Sequence, residues 1–176
     1  VLVSFIWVFI FTNAMPALGG ALGWDWLANI SWFGTPSMAT VTIIVVSIWQ
    51  NIGFLMIIYT AGLQTIPKDV MESAELDGCS GLKKVLKIEL PLLMPTVTIN
   101  LFVSISGAFK SFDIPNAMTG GGPYGSTMPV AMNIYQEAFT KYNLGYGSAK
   151  SVILFLTVAA VTLIQLYCTR KKEVEY

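Results

Sequence analysis

Three long stretches of this sequence contain no charged residue. They cover residues 38–60, 90–109 and 151–169, and each is close to the length of about 20 apolar residues that a helix needs to cross a bilayer. A buried helix in a large soluble core explains one such stretch but is a poor explanation for three. Residues 1–11 are also apolar but too short to cross a bilayer, so we expect them to be the end of a span cut by the start of the sequence. The sequence therefore predicts an all-α polytopic transmembrane bundle, with about three full spans and part of a fourth.

The composition supports a membrane protein. Hydrophobic residues make up 55% of the chain, charged residues only 11%, and the mean hydropathy is +0.66. Soluble domains carry about 25% charged residues, which they need to cover their surface. We therefore expect the lipid bilayer to be the main surrounding of this chain and residues 1–176 to form a single transmembrane domain.

Several classes of function are excluded by what the sequence lacks. It has no histidine and a net charge of zero, and its two cysteines, Cys79 and Cys168, have no metal-ligand spacing. The glycine-rich segment 120–127 contains no lysine and follows no predicted strand, so it predicts a turn rather than a phosphate-binding loop. We expect no enzymatic activity, no metal, no cofactor and no nucleic acid partner.

The distribution of lysine and arginine predicts the orientation in the membrane. Basic residues concentrate in the segment 66–90 and in the C-terminal tail, whereas residues 12–37 contain none and residues 111–150 contain only Lys141 and Lys150. Short loops rich in Lys and Arg face the cytoplasm. The segment 66–90, named here the charged loop, is therefore predicted to be cytoplasmic, and the 111–150 connection external.

The charged loop itself predicts two short helices. Pro67 suits a first helical turn, and Gly78 and Gly81 are expected to end the first helix. The sequence Glu72-Ser73-Ala74, followed by Gly78, Ile88 and Leu90-Pro91, resembles the cytoplasmic signature of binding-protein-dependent ABC importer permeases. The family pattern is Glu-Ala-Ala, three residues, Gly, nine residues, Ile, one residue, Leu-Pro, so that Ser73 is the one departure.

The resemblance extends along most of the chain and favours the carbohydrate branch, which includes the maltose-type first permease and the glycerol-phosphate permeases. The other segments that are similar to this branch are 49–54, 61–67, Phe112-Asp113, 119–123, 145–149 and the C-terminal ending 170–176. The resemblance implies a second permease subunit, cytoplasmic ATP-binding subunits that bind the ATP, an external solute-binding protein and a sugar-like solute. It also implies that the ATPase is contacted by Glu72, Ser73, Ala74, Asp77 and Gly78.

A solute pathway needs polar residues inside the membrane. Ser104, Ala108 and Ser111 recur at helical spacing, and Gln50 and Asn51 lie in the middle of an apolar stretch. We expect these five residues to line the path, while packing between helices is the alternative, because small and hydrogen-bonding residues also serve helix association. Two other functions stay open: a permease for another small solute, and a channel or scaffold with no ATPase.

Overall fold

The computed structural model describes residues 1–171, and this part of the chain is helical throughout, apart from its connections. The helices are α1 (Leu2–Leu22), α2 (Asp25–Ala28), α3 (Pro36–Gln64), α4 (Lys68–Leu76), α5 (Leu82–Leu92), α6 (Met94–Phe109), α7 (Asp113–Thr119), α8 (Val130–Tyr135, continued by a wide turn over Gln136–Thr140) and α9 (Leu144–Arg170). The predicted all-α fold is confirmed. The end of the C-terminal segment that resembles the family, residues 172–176, lies outside the described residues.

Three helices are long and apolar enough to cross a membrane. They are α1, α3 and α9. Helices α5 and α6 together are also long and apolar enough, but they are bent by 70° relative to each other. The described residues therefore contain three candidate spans, or four if the bent pair is one broken span.

The first candidate span is longer than the sequence predicts. Residues 1–11 look too short to cross a bilayer, but α1 continues for 21 residues to Leu22. The helix continues through Pro16, which has no backbone N–H to donate. The preceding turn, Ile10–Ala14, has the wider π-helical geometry, which accommodates the missing hydrogen bond. Gly23 then ends the helix in a left-handed conformation with φ +68°.

The predicted span 90–109 is interrupted near its start. Helix α6 begins only at Met94 and has 16 residues, and Leu93 adopts φ −83° and ψ −3° at the break. Pro91 and Pro95 lie on either side of this break. Proline lacks the backbone donor and crowds the carbonyl four residues earlier, so this pair accounts for the sharp bend.

The described chain contains two compact units, and each has its own packing. The first consists of residues 1–50 and 109–154, with a buried core of Phe11, Ile43, Val46 and Met118. In this unit Trp7 and Trp32 contact Phe11, with ring centroids 5.4 and 4.9 Å from its own.

The second unit consists of residues 51–108 and the described residues from 155 onward, and polar contacts between helices are prominent in it. The Asn100 side-chain amide lies 3.5 Å from the carbonyl oxygen of Leu55, and the Gln165 amide donates to the carbonyl of Thr98 at 3.3 Å. Asn100 and Gln165 therefore join helices of this unit, as interhelical hydrogen bonds do in membrane proteins.

Candidate functional site

The charged loop folds as two helices, α4 and α5, separated by a glycine-containing joint. The predicted start at Pro67 is confirmed to within one residue, because Pro67 precedes Lys68 in an extended conformation. The backbone N–H of Cys79 donates to the carbonyl of Ala74 at 2.9 Å, and that of Gly78 to the carbonyl of Glu75 at 3.0 Å. This pair of bonds is the Schellman arrangement that closes a helix C-terminus, and it requires a left-handed residue at its turn.

Gly78 supplies that left-handed residue, with φ +73°. A Cβ atom built at this position would meet nothing within 4 Å, so the structure leaves room for a side chain there. The sequence predicts that Gly78 helps to end the first helix, and this prediction is confirmed. Glycine is favoured here by the backbone conformation, which other residues adopt at a cost.

The five residues that the family resemblance assigns to ATPase contact divide into two groups. Ala74 is buried at 7% exposure, so its side chain packs within the chain. Glu72, Ser73, Asp77 and Gly78 are exposed. The Ser73 hydroxyl donates to the backbone carbonyl of Asp69 at 2.8 Å, which leaves the two carboxylates as the exposed charged groups of this set.

Apolar side chains of the charged loop are also exposed. Leu76, Leu82 and Leu86 are 89%, 80% and 61% exposed. Exposed leucines on the same short loop as the exposed carboxylates of Glu72 and Asp77 make its surface both apolar and charged, which is typical of a protein–protein contact.

An ion pair joins the two helices of the charged loop. The Lys84 ammonium nitrogen lies 2.6 Å from Oε1 of Glu75, and the Lys84 side chain is only 16% exposed. The hydrogen bond and charge of Lys84 lower the pKa of the Glu75 carboxyl below its usual range. Glu75 is therefore ionised and paired at neutral pH.

Four of the five residues assigned to the solute path are exposed, whereas Ser111 is half-buried and lies beyond the end of α6. Gln50 and Asn51 are exposed residues of α3, and Ser104 and Ala108 are exposed one turn apart on α6. Ser111 does not extend the α6 face as its spacing suggests, because α6 ends at Phe109 and a new helix begins at Asp113.

Exposure does not distinguish the predicted polar face of α6 from the opposite one. Val103, which lies five residues before Ala108 and therefore on the opposite side of α6, is itself 36% exposed. Asn100 precedes Ser104 by four residues and therefore lies on the same face of α6, but it is buried at 3% exposure. This face of α6 therefore packs against another helix at Asn100, whereas Ser104 and Ala108 are exposed.

Ser111 lies instead at a groove of about 250 Å³ in the first unit. No charged residue lines this groove, which combines hydroxyl and aliphatic groups. Its lining residues are Thr40, Ile43, Ile44, Ser111, Pro115, Ser126, Thr127, Met128 and Pro129. Such a surface offers hydrogen-bond partners and apolar contact to an uncharged polar solute.

The glycine-rich segment beside this groove is a turn, as predicted. Gly120, Gly121 and Gly125 all have positive φ angles. The Thr127 hydroxyl donates to the carbonyl of Gly122 at 2.6 Å and lies 2.7 Å from the Thr119 hydroxyl. These bonds hold the turn closed.

A buried carboxylate in the 111–150 connection escapes sequence analysis. Glu137 is 8% exposed, and its oxygens accept hydrogen bonds from Lys141 at 3.1 Å, Asn143 at 3.2 Å and Lys150 at 3.4 Å. Lys150 also donates to Asn133 at 2.8 Å. The Asn143 and Lys141 side chains lower the pKa of the Glu137 carboxyl. The one sequence signal is the i, i+4 spacing of Glu137 and Lys141, which is common on exposed helices and does not predict burial.

Comparison with known proteins places these features in context. Residues 1–174 match the family described as "Binding-protein-dependent transport system inner membrane component". The chain is 36% identical over 174 residues to a probable starch degradation products transport system permease protein, AmyD, of Thermoanaerobacterium thermosulfurigenes, covering 99% of this chain and 59% of that protein. It is 34% identical over 172 residues to the multiple sugar-binding transport system permease protein MsmF of Streptococcus mutans, covering 98% and 59%.

A third relative is the sn-glycerol-3-phosphate transport system permease protein UgpA of Brucella abortus, 35% identical over 173 residues, covering 95% of this chain and 57% of the relative. The chain thus spans about three fifths of the length of these curated relatives. Among solved structures, a bacterial ABC transporter involved in the import of the acidic polysaccharide alginate matches with a TM-score of 0.82 and 19% identity, covering 97% of this chain and 60% of that one. At this identity the structural match shows the fold.

Proposed function

Because the chain belongs to the family of binding-protein-dependent transport system inner membrane components, we propose that it forms part of the translocation pathway for a sugar or sugar derivative. The support for the solute class is that relatives named for starch degradation products, multiple sugars and glycerol 3-phosphate are similar over nearly the whole chain. The residues proposed to line the path are polar or small: Gln50, Asn51, Ser104, Ala108 and Ser111.

The proposed mechanism couples this pathway to ATP hydrolysis in a separate subunit. A second permease subunit completes the path, an external solute-binding protein delivers the solute, and cytoplasmic ATP-binding subunits contact the charged loop, residues 66–90. The observation that carries this proposal is the exposed surface of Glu72, Asp77 and Leu76 around the Gly78 turn, on a loop between candidate spans.

The substitution Gly78→Leu in the full-length protein tests the coupling role. Gly78 has φ +73°, so leucine strains the turn and displaces the exposed surface beside it. We expect loss of solute uptake and weaker co-purification of the ATPase, with membrane insertion unchanged.

Gly125→Leu is a matched control, because Gly125 has φ +74° and, like Gly78, open space around it, but lies in the 111–150 connection. We expect this variant to retain the ATPase. If Gly78→Leu keeps both ATPase co-purification and solute-stimulated hydrolysis, the charged loop is not the coupling element.

The relatives also support a specific choice of solutes for testing. Binding of malto-oligosaccharides and of glycerol 3-phosphate to the cognate solute-binding protein, followed by uptake in proteoliposomes, separates a sugar from a phosphorylated polyol. Uptake of neither, with a different small solute transported, would retain the importer and reject the carbohydrate assignment.

A further inference from the structure

The joint between α4 and α5 contains two glycines in left-handed conformations. Gly78 has φ +73° and Gly81 has φ +59°, and a Cβ at either position would meet nothing within 4 Å. Glycine has the widest conformational freedom of any residue, so a joint built from two of them bends easily unless other contacts hold it.

Glu75 and Lys84 provide a side-chain contact across this joint. Glu75 lies in the last turn of α4, Lys84 lies in the first turn of α5, and their charged atoms are 2.6 Å apart. The Lys84 side chain is mostly covered at 16% exposure, whereas Glu75 is 63% exposed. The pair therefore connects the two helices directly, without passing through the glycine backbone.

The neighbouring lysines do not share this arrangement. Lys83 and Lys87 are exposed, and within residues 1–171 neither makes an ion pair. The general basic character of the loop, which the orientation rule uses, therefore does not explain the placement of Lys84.

We propose that the Glu75–Lys84 pair holds the angle between α4 and α5 so that a displacement of α4 moves α5 and the following helix α6. This inference rests on the proposed function, in which an ATPase subunit displaces the charged loop. Without the pair, a displacement of α4 by the ATPase bends the joint and does not move α6. Glu75 and Lys84 are thus positioning residues of the coupling step.

The expected consequence is uncoupling rather than loss of stability. Glu75 is 63% exposed, and ion pairs that reach solvent contribute little to folding free energy, so we expect the protein without this pair to stay folded and to keep the ATPase bound. Substitutions in a coupling network change the coupling between sites by roughly two- to thirtyfold. We expect a loss of that size in solute imported per ATP hydrolysed.

The test uses the full-length protein in the complete importer, reconstituted in proteoliposomes. Glu75→Gln and Lys84→Met each remove one charge, Lys84→Arg keeps the pair, and Glu75→Lys combined with Lys84→Glu reverses it. Lys83→Met is the matched control for loss of an unpaired lysine. Solute uptake, solute-stimulated ATP hydrolysis and the amount of ATPase that co-purifies are measured for each variant.

Glu75→Gln and Lys84→Met are expected to lower the ratio of uptake to hydrolysis while retaining the ATPase. Lys84→Arg is expected to keep the parental ratio, and the reversed pair is expected to recover it. Lys83→Met is expected to leave the ratio unchanged. The proposal is overturned if Glu75→Gln and Lys84→Met keep the parental ratio, or if Lys83→Met lowers it equally. It is also overturned if neither Lys84→Arg nor the reversed pair shows the parental ratio.

Loss of the bound ATPase in Glu75→Gln and Lys84→Met would also overturn the proposal, because the pair would then belong to the docking surface. The underlying coupling role is judged separately by Gly78→Leu. If that variant stays fully coupled, the charged loop is not the coupling element and the proposed function fails. If it loses the ATPase while the pair variants keep the parental ratio, only the present inference fails.

Discussion

At Gly62, one absent side chain allows two helical segments to approach. A Cβ built on Gly62 would lie 2.8 Å from Cγ2 and 2.9 Å from Cβ of Thr96, and closer still to its hydroxyl oxygen. Gly62 is buried, so a side chain has no free direction to take. Nothing in the sequence near Gly62 indicates that residue 96, more than 30 positions later, is the reason for glycine here.

The first prediction follows from this contact. Gly62→Ala is expected to destabilise the protein by about 1–3 kcal/mol through overpacking, measured as a lower thermal midpoint in detergent. Adding Thr96→Ala removes two of the three closest atoms and should recover part of the loss.

Gly53→Ala is the control for the helix preference of alanine. Gly53 also lies in α3 but has nothing within 4 Å of the built Cβ, so alanine there should be neutral or stabilising by about 0.5–1 kcal/mol. Equal midpoints for Gly62→Ala and Gly53→Ala would contradict the contact.

Glu137 leads to the second prediction, on pH. Its pKa is lowered in the folded protein by Asn143 and Lys141, so the unfolded state binds the proton more readily. The stabilisation by the ionised carboxylate is therefore fully present above the unfolded pKa of about 4.3 and is lost as the pH falls through the lower, folded pKa.

The comparison is between the parent protein and Glu137→Gln. We expect the difference in their thermal midpoints to be constant from pH 8 to about pH 5 and to shrink below about pH 4. A difference that is independent of pH down to acid conditions would show that the charge of Glu137 contributes nothing, and that the hydrogen bonds alone matter.

At the scale of elements, hydropathy predicts where helices are and proline geometry modifies their lengths. Helix α9 begins at Leu144, well before the uncharged stretch 151–169, and Lys150 within it donates to Asn133 and Glu137. Lysine is a good helix former, so its charge ends the uncharged stretch but not the helix. A search for uncharged stretches therefore predicts an element that is shorter than the helix.

The third prediction concerns α6 as an element. Ala108→Trp fills the proposed solute path and should block uptake of labelled solute without lowering the amount of assembled complex. Val103→Trp is the control, because Val103 lies five residues before Ala108 and therefore on the opposite side of α6, and it should be tolerated. Uptake is normalised to the amount of complex in the membrane. Equal uptake by the two variants would mean that Ser104 and Ala108 pack against another helix and do not line the path.

At the scale of the whole molecule, the fourth prediction tests orientation. In a protein carrying Cys79→Ala and Cys168→Ser, a single cysteine at exposed Thr140 should react with an impermeant thiol reagent applied from outside the cell. A single cysteine at exposed Ser80, in the charged loop, should react only after permeabilisation. The reverse pattern would overturn the orientation drawn from Lys and Arg.

Family membership is recognisable from the charged loop because its spacing is local. Glu72, Gly78 and Leu90-Pro91 lie within one short segment, so their pattern survives in the linear sequence. The same locality explains why the two helices of the loop and their separation at Gly78 and Gly81 are predicted and confirmed.

Sequence alone determined the all-α membrane fold, the family and the approximate positions of the candidate spans, because hydrophobicity and short-range turn preferences are properties of neighbouring residues. Only the tertiary structure decided which polar groups are buried and which residues are their hydrogen-bond or ion-pair partners. Glu137 meets Lys150, Asn100 approaches Leu55 and Gly62 faces Thr96 through contacts between residues far apart in the chain. Such pairings depend on how helices bend and pack against one another, and no local pattern records them.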